Sequence, residues 1–402
     1  MKILFLTDNF PPEVNAPAVR TFEHCREWVK LGAEVTVVTC APNFPRGKIY
    51  SGYRNRLYSK EYIEGIRVIR VWTYVTANEG FFRRILDFIS FSISSFIAGL
   101  FLKADVIVAT SPQFFTALSG RTLSFFKRKP WVMEVRDLWP ESVKAVGASK
   151  ASLALKYFEL EERWCYQSAK RIIVVTDTFK DKISSKGISR DKITVIKNGI
   201  NPEEFYPMNK DRELIAKLGL EGKTILGYIG THGMAHKLDF ILHCAKQLQD
   251  SCYHFLLIGD GAEKNNLLQL KNKLACSNVT MLPPIPKSEV HRYISILDIA
   301  LINLKKSVLF TSVIPSKIFE NAAMSIPILM GVEGEAKALV EQYNAGVCFE
   351  PENESDFIAK LQTLDDMQLY QKLQEGGMRL AKQYDRKLLA KSMYEELKQV
   401  LE

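Results

Sequence analysis

Lys2-Ile3-Leu4-Phe5-Leu6-Thr7-Asp8 opens the chain with four consecutive apolar residues that end on a polar pair. Four residues are too few for a secretory signal, and Asp8 closes the run. A buried first strand is the reading it supports, because a strand covered on both faces is apolar without alternation. Similar Val- and Ile-rich runs follow at Glu34–Thr39, Ile66–Trp72, Asp105–Thr110, Trp131–Arg136 and Arg171–Thr176. Helix-like stretches such as Ala18–Leu31 and Leu153–Ser168 separate them. That order predicts a parallel, doubly wound sheet. A second series begins at Thr224–Gly230 and continues through Tyr253–Ile258, Asn278–Leu282, Asp298–Asn303, Pro327–Met330 and Gly346–Phe349. Lys237–Gln249 and Ser316–Ala323 are among its intervening helices. The fold class expected is therefore α/β, with two facing Rossmann-like, doubly wound parallel-sheet domains.

The turn signal Asn198-Gly199 and the restriction that Pro202 imposes on Asn201 place the boundary within Val195–Pro202. We expect domains at 1–197 and 198–375, and a charged helical segment at 376–402 that closes the second domain or crosses back to the first. Charge divides at the same place. Residues 1–200 carry 31 Lys and Arg against 19 Asp and Glu, whereas the remainder carries 23 against 26. The first half thus suits an anionic partner or a soluble basic surface. The acidic second half argues against nucleic acid. Seven scattered cysteines without a CxxC pair fit a reducing compartment and no zinc site.

Phe88–Leu102 is fifteen residues without a charge, diluted by four serines. A span of the bilayer needs about 20 apolar residues, so a helix packed on its sheet is expected. Its free face would rest on a membrane, with Arg46, Lys48, Arg54, Arg56, Lys60, Arg67 and Arg70 supplying electrostatic attraction.

Ligands of open parallel sheets bind beyond the carboxyl ends of the strands, which directs attention to the loops there. The first, Asp8–Arg20, lacks GxGxxG and hence a nicotinamide or flavin fingerprint, but Asn15 and Ala16 permit close backbone approach at a helix start. Arg136-Asp137-Leu138-Trp139-Pro140-Glu141-Ser142 gathers two carboxylates, an arginine and an indole. A carboxylate there acts as a base, holds a substrate hydroxyl, or forms a plain salt bridge with Arg136. Gly230-Thr231-His232-Gly233-Met234-Ala235-His236-Lys237 combines glycines with three groups able to carry positive charge. Gly259-Asp260-Gly261 suits a tight turn. Pro315-Ser316 starts a helix on which Lys317 and Glu320 share a face, either as a simple ion pair or as ligands for a phosphate and a ribose.

Taken together, ILFLTDNFPPEVNAPAVR, RDLWPES, VIKNGINPEEF, GYIGTHGMAHKL, LLIGDGAEKNNL and PSKIFENAAM resemble the retaining, family-4-type glycosyltransferases of GT-B fold over nearly the whole chain. The Asp137–Ser142 run is similar to bacterial enzymes that add a deoxy-amino sugar such as N-acetylfucosamine during O-antigen, capsule or exopolysaccharide assembly. The resemblance implies a nucleoside-diphosphate sugar, with UDP as the expected base, held by the second domain, and a lipid-linked saccharide acceptor held by the first. It assigns Lys317 to the diphosphate and Glu320 to the ribose. Thr231, His232 and either His236 or Lys237 would line the phosphates beside Gly230 and Ser316. Gly259 and Ile285 would lie near the base, and Asn15 and Ala16 near the sugar phosphate. Where relatives carry a histidine, this chain has Arg136-Asp137, making Asp137 the catalytic candidate and Glu141 the second. Ser312 stands where relatives often place the first of two glutamates.

Neither metal nor cofactor is expected, because Lys317 and a second basic group can neutralise the leaving diphosphate. The expected location is cytoplasmic, peripheral on the inner membrane face. Two alternatives share the architecture: a nucleotide-sugar 2-epimerase, which needs no acceptor, and a non-catalytic nucleotide binder.

Overall fold

The apolar runs form two sheets in the computed structural model, which describes residues 1–44, 46–76, 81–111, 114–138 and 153–402. The first sheet, among these residues, comprises β1 (Lys2–Leu6), β2 (Glu34–Cys40), β3 (Tyr58–Ile63), β4 (Ile66–Val71), β5 (Val106–Thr110), β6 (Trp131–Val135), β7 (Arg171–Val174) and β8 (Ile193–Val195). Its order is β3-β4-β2-β1-β5-β6-β7-β8. All neighbours are parallel except β3 and β4, which form an antiparallel pair. The second sheet comprises β9 (Thr224–Ile229), β10 (Tyr253–Ile258), β11 (Val279–Leu282), β12 (Ile299–Asn303), β13 (Ile328–Gly331) and β14 (Gly346–Cys348), in the parallel order β11-β10-β9-β12-β13-β14.

The continuous hydrophobicity of the strands follows from helices on both faces. Ile3 and Phe5 of β1 pack with Trp28 and Met393 on one side, while Leu4 and Leu6 pack with Val38 and Phe91 on the other. In the second sheet Leu226 and Tyr228 face one core and Ile225 the other. Strand order reverses at β1/β5 and at β9/β12, so a crevice opens beyond the ends of β1 and β9.

Two strands were not anticipated. β3 alternates exposed and half-buried residues along the sheet edge, so it lacks an apolar run. β8 has only three residues.

The chain divides into two compact units, Met1–Asn198 with Arg386–Glu402, and Gly199–Asp385. The second unit thus runs beyond the expected 375. Residue 375 lies inside the helix Met367–Gln383, whose Leu373 and Leu380 are buried in the cores of that unit. Gly377 brings this helix against Ala322, where an added Cβ would stand 3.2 Å from the Ala322 carbonyl oxygen. The abundant charges of the segment conceal this narrow apolar stripe. The final helix, Arg386–Gln399, belongs to the first unit, where Trp28 Nε1 donates to the Ala390 carbonyl at 2.8 Å. Isolated bridge pairing of Ile200 with Asp385 ties the two crossing strands of chain together within the second unit.

Candidate active site

The second unit builds a cationic corner from the loops that follow adjacent strands. Gly230 ends β9 with φ +150° and donates its N–H to the Ile258 carbonyl at 2.8 Å. Gly259, which ends β10, has φ +145°; a Cβ there would stand 1.8 Å from the Gly230 carbonyl oxygen. Both positions need glycine because the two turns touch backbone to backbone. His232 N–H then donates to the Asp260 carbonyl, and Glu263 N–H to the His232 carbonyl, at 2.8 and 2.9 Å.

Lys317 reaches this turn from the helix Lys317–Ala323. A Cβ on Gly230 would lie 2.5 Å from Lys317 Nζ, so the missing side chain makes room for the ammonium. Among the described residues no carboxylate stands within 4.0 Å of Nζ, which lies 5.0 Å from the centroid of the Tyr228 ring. Burial pushes the Lys317 ammonium below its usual range, and Glu320 one helical turn on opposes that shift. His236 sits in the short turn Met234–His236, which Asn303 clamps by donating Nδ2 to the His236 and Lys237 carbonyls at 3.0 and 3.2 Å. Desolvation, followed by the charge of Lys317, lowers His236 to about 4. Desolvation and the charge of Lys264 lower His232 to about 4, against a smaller pull from the Ile258 backbone. His232 is fully buried, and neither ring nitrogen has a well-formed hydrogen bond to the protein. Two neutral imidazoles and a desolvated ammonium therefore share one small volume.

The remaining candidates fall around this corner unequally. Lys237 turns to Asp239, with Nζ 2.6 Å from Oδ2, so its charge is already neutralised on the surface. His236 rather than Lys237 accompanies Lys317. Thr231 is exposed beside the turn, and its carbonyl accepts from the Tyr228 hydroxyl at 2.8 Å. Ile285 follows β11 and packs half-buried against the core of the second unit, at the same sheet end as Gly259. Ser316 precedes the helix of Lys317 without a side-chain cap, leaving its first N–H groups uncapped by that hydroxyl. Ser312 is buried in the turn Val308–Ser312, which Gly334 approaches closely enough that a Cβ would meet the Thr311 carbonyl at 2.1 Å.

The first unit presents a different chemistry at the ends of β1 and β6. Asn15 caps the helix Ala16–Lys30: its Oδ1 accepts from Ala18 N–H at 3.0 Å and its Nδ2 donates to Asn9 Oδ1 at 2.5 Å. Ala16 is the first residue of that helix. Glu13 is buried and accepts from the N–H groups of Asn43 and Phe44, both at 2.8 Å. Beyond β6, Ser111 Oγ accepts from the N–H groups of Arg136 and Asp137, at 2.8 and 3.4 Å. Asp137 keeps solvent contact, yet desolvation raises its carboxyl above the ordinary range while Arg136 draws it down. Arg136 itself is pushed down to about 10 by desolvation, against the attraction of Glu134. Glu141 lies outside the described residues.

Sequence reasoning missed Tyr228, Asn303 and the buried pair Arg20–Glu134. Arg20 Nε stands 3.0 Å from Glu134 Oε1, and its Nη atoms donate to the Ile196 and Lys197 carbonyls. Tyr228, Asn303 and Glu134 lie in apolar strand runs and Arg20 in the helix Ala16–Lys30.

Comparison with known sequences accounts for both units. The family described as "Glycosyl transferase 4-like domain" matches residues 15–199, and "Glycosyl transferases group 1" matches residues 210–379. The chain belongs to the family-4-type glycosyltransferases. This glycosyltransferase is 24% identical over 372 residues to WcaI of Escherichia coli (strain K12), named for colanic acid biosynthesis, covering 89% of this chain and 91% of WcaI. It is 28% identical over 202 residues to TuaH of Bacillus subtilis (strain 168), named for teichuronic acid biosynthesis, covering 49% of each. Among solved structures, sucrose-phosphate synthase from Thermosynechococcus elongatus superposes with a TM-score of 0.77 at 15% identity, covering 99% of this chain and 98% of that one. Anabaena HepE in complex with UDP-glucose gives 0.73 at 15% identity, covering 99% and 100%. These likenesses establish the GT-B fold, two parallel-sheet domains of α/β class.

Proposed function

We propose that this glycosyltransferase moves a sugar from a nucleoside-diphosphate donor to a saccharide acceptor during assembly of a bacterial surface polysaccharide. The observation that carries the reading is the desolvated Lys317, with no carboxylate within 4.0 Å among the described residues, beside Gly230, His232 and His236. A leaving diphosphate develops negative charge as the sugar acquires oxocarbenium character, and a preorganised cation is worth several kcal/mol there. Lys317 meets the diphosphate, with His236 and His232 beside it and Glu320 on the ribose. Gly259 and Ile285 border the base, for which we infer uridine. The UDP-glucose held by HepE favours this choice, and the names of WcaI and TuaH favour a polysaccharide product.

Asp137 is the group we assign to the sugar and its reaction, and retention follows if the donor's own phosphate accepts the acceptor proton on the same face. A raised carboxyl at the end of β6 suits a residue that trades hydrogen bonds with substrate hydroxyls. Ser312 lacks the carboxylate that many relatives place there, so the sugar is contacted differently, and the donor we infer is a deoxy-amino sugar. Lys317 with the corner histidines supplies the charge compensation, so we propose neither metal nor cofactor.

The acceptor we infer is lipid-linked, met at the inner membrane face. Among the described residues no helix is long and apolar enough to cross a membrane. The helix Phe81–Leu100 buries Phe91 and Ser95, and Leu102 just beyond it is also buried, so only part of Phe88–Leu102 is free. Its outer face carries Ile93 and Ile97, and Phe101 follows at 84% exposure. The surface extends onto the end of the helix Phe114–Lys127, where Phe125 and Phe126 are 79% and 62% exposed. Phe96 and Phe126 make an edge contact at 5.6 Å, and Lys127 Nζ donates to the Leu100 carbonyl at 3.0 Å. Lys103, Arg128 and Lys129 rim this aromatic edge, as interfacial binding requires.

A panel of uridine and guanosine diphosphate sugars, followed by donor turnover with and without acceptor, tests the reading. Transfer from a uridine donor is expected, abolished in both Asp137→Ala and Lys317→Ala. Full activity in both variants would reject the site. Sedimentation with phosphatidylglycerol vesicles should capture the protein and lose it in Phe101→Ser/Phe125→Ser; equal capture of both would reject the membrane face.

A further inference from the structure

Tyr228 has none of the roles assigned above, yet several parts of the corner converge on it. Its side chain is 1% exposed, inside β9. Lys317 Nζ stands 5.0 Å from its ring centroid, and the rings of His236 and His232 lie 5.7 and 6.0 Å away. Its hydroxyl donates to the Thr231 carbonyl at 2.8 Å, bridging across Gly230. We propose that Tyr228 is the positioning residue of the phosphate corner, its ring holding the Lys317 ammonium where an incoming phosphate meets it.

A desolvated ammonium requires a partner. A carboxylate at this place would satisfy Lys317 but would also compete with an incoming phosphate. An aromatic face attracts a cation within about 6 Å without neutralising it. Lys317 is therefore held in a single place while its charge remains available to an anion. The alternative, a free four-carbon stem, would surrender rotamer entropy at the moment of binding. Gly230 completes the arrangement: a Cβ there would crowd Nζ at 2.5 Å and stand 3.7 Å from the Tyr228 hydroxyl oxygen. The inference rests on reading this corner as the diphosphate site.

UDP affinity measured by calorimetry tests it through five proteins: the parent, Tyr228→Phe, Tyr228→Leu, Lys317→Met, and Tyr228→Leu with Lys317→Met. Tyr228→Phe, which keeps the ring, should bind within about threefold of the parent, and Tyr228→Leu about tenfold more weakly. On the Lys317→Met background the leucine should cost less than about twofold, because the cation it acts through is gone. An unchanged affinity in Tyr228→Leu would overturn the proposal, as would an equal loss on both backgrounds, which a purely structural role produces. If Lys317→Met binds UDP like the parent, the diphosphate reading itself fails and the proposal falls with it. Should the leucine variant not fold, phenylalanines of increasing fluorination at 228 keep the shape and weaken the ring quadrupole. Affinity should then fall stepwise from that of Tyr228→Phe, and a flat series would overturn the proposal.

Discussion

The corner around Lys317 and the corner around Arg20 hold similar residues and treat them in opposite ways. In the first unit Arg20 and Arg386 are spent on carboxylates. Arg20 is paired with Glu134 and donates to two backbone carbonyls, and Arg386 is paired with Glu23 at 2.5 Å. His24, buried beside them, is held neutral by desolvation and then by the charge of Arg20. In the second unit Lys317 faces an aromatic ring and two neutral histidines instead of a carboxylate. A buried charge with satisfied partners fixes a fold, whereas one without a counter-ion is poised for a ligand that brings the opposite charge. The contrast separates the structural polar cluster from the binding one, although both follow strands of parallel sheets.

The strongest way to break this contrast is Glu134→Gln. It leaves Arg20 buried without its anion and should destabilise the protein by about 3–5 kcal/mol. A urea titration reads the loss as a lower midpoint, while UDP affinity under native conditions stays unchanged. A weakened UDP affinity with an unmoved midpoint would reverse the assignment.

The two glycines sharpen it further. Gly259→Ala drives a methyl into the Gly230 carbonyl and should cost roughly 2–4 kcal/mol of stability. Gly230→Ala instead displaces the flexible end of Lys317, so its larger effect should be on UDP, about tenfold in affinity by calorimetry. Equal losses of stability without a change in binding would show that Lys317 is not held for a ligand.

The smallest expected effect is that of pH. Desolvation lowers His232 and His236 to about 4 in the free protein, so both are neutral at pH 7. An arriving diphosphate raises both, so binding takes up protons and affinity grows as pH falls through the bound-state values towards the free-state ones, by at most about tenfold per pH unit for each histidine. The same depression gives stability the opposite trend. Below about 6.5 the unfolded chain gains protons that native His24, His232 and His236 refuse, so folding weakens as pH falls. Calorimetry at pH 8, 7 and 6 and urea midpoints at the same values should therefore move in opposite senses. A UDP affinity independent of pH would place the histidines outside the site.

Much of this was legible beforehand because apolar runs such as Ile3–Leu6 and Tyr253–Ile258 are buried on both faces and have few other uses. The glycines of the Gly230–Gly233 turn and the Pro315-Ser316 helix start also announce themselves locally. β3 was hidden because an edge strand with alternating exposure has no apolar run. The end of the second unit was hidden because its helix anchors through Leu373, Leu380 and two glycines among many charges. Tyr228 and Glu134 read as ordinary strand residues, since only three-dimensional proximity gives them partners far along the chain. The choice between His236 and Lys237 likewise depends on the Asp239 carboxylate that claims Lys237. A linear spacing rule does not contain that competition.

A crystal structure of the protein with UDP shows whether Lys317 meets the diphosphate. A phosphate oxygen is expected within about 3 Å of Lys317 Nζ, beside the Gly230–His232 turn. A nucleotide bound with its phosphates remote from Lys317, the ammonium still resting on the Tyr228 ring, would contradict it.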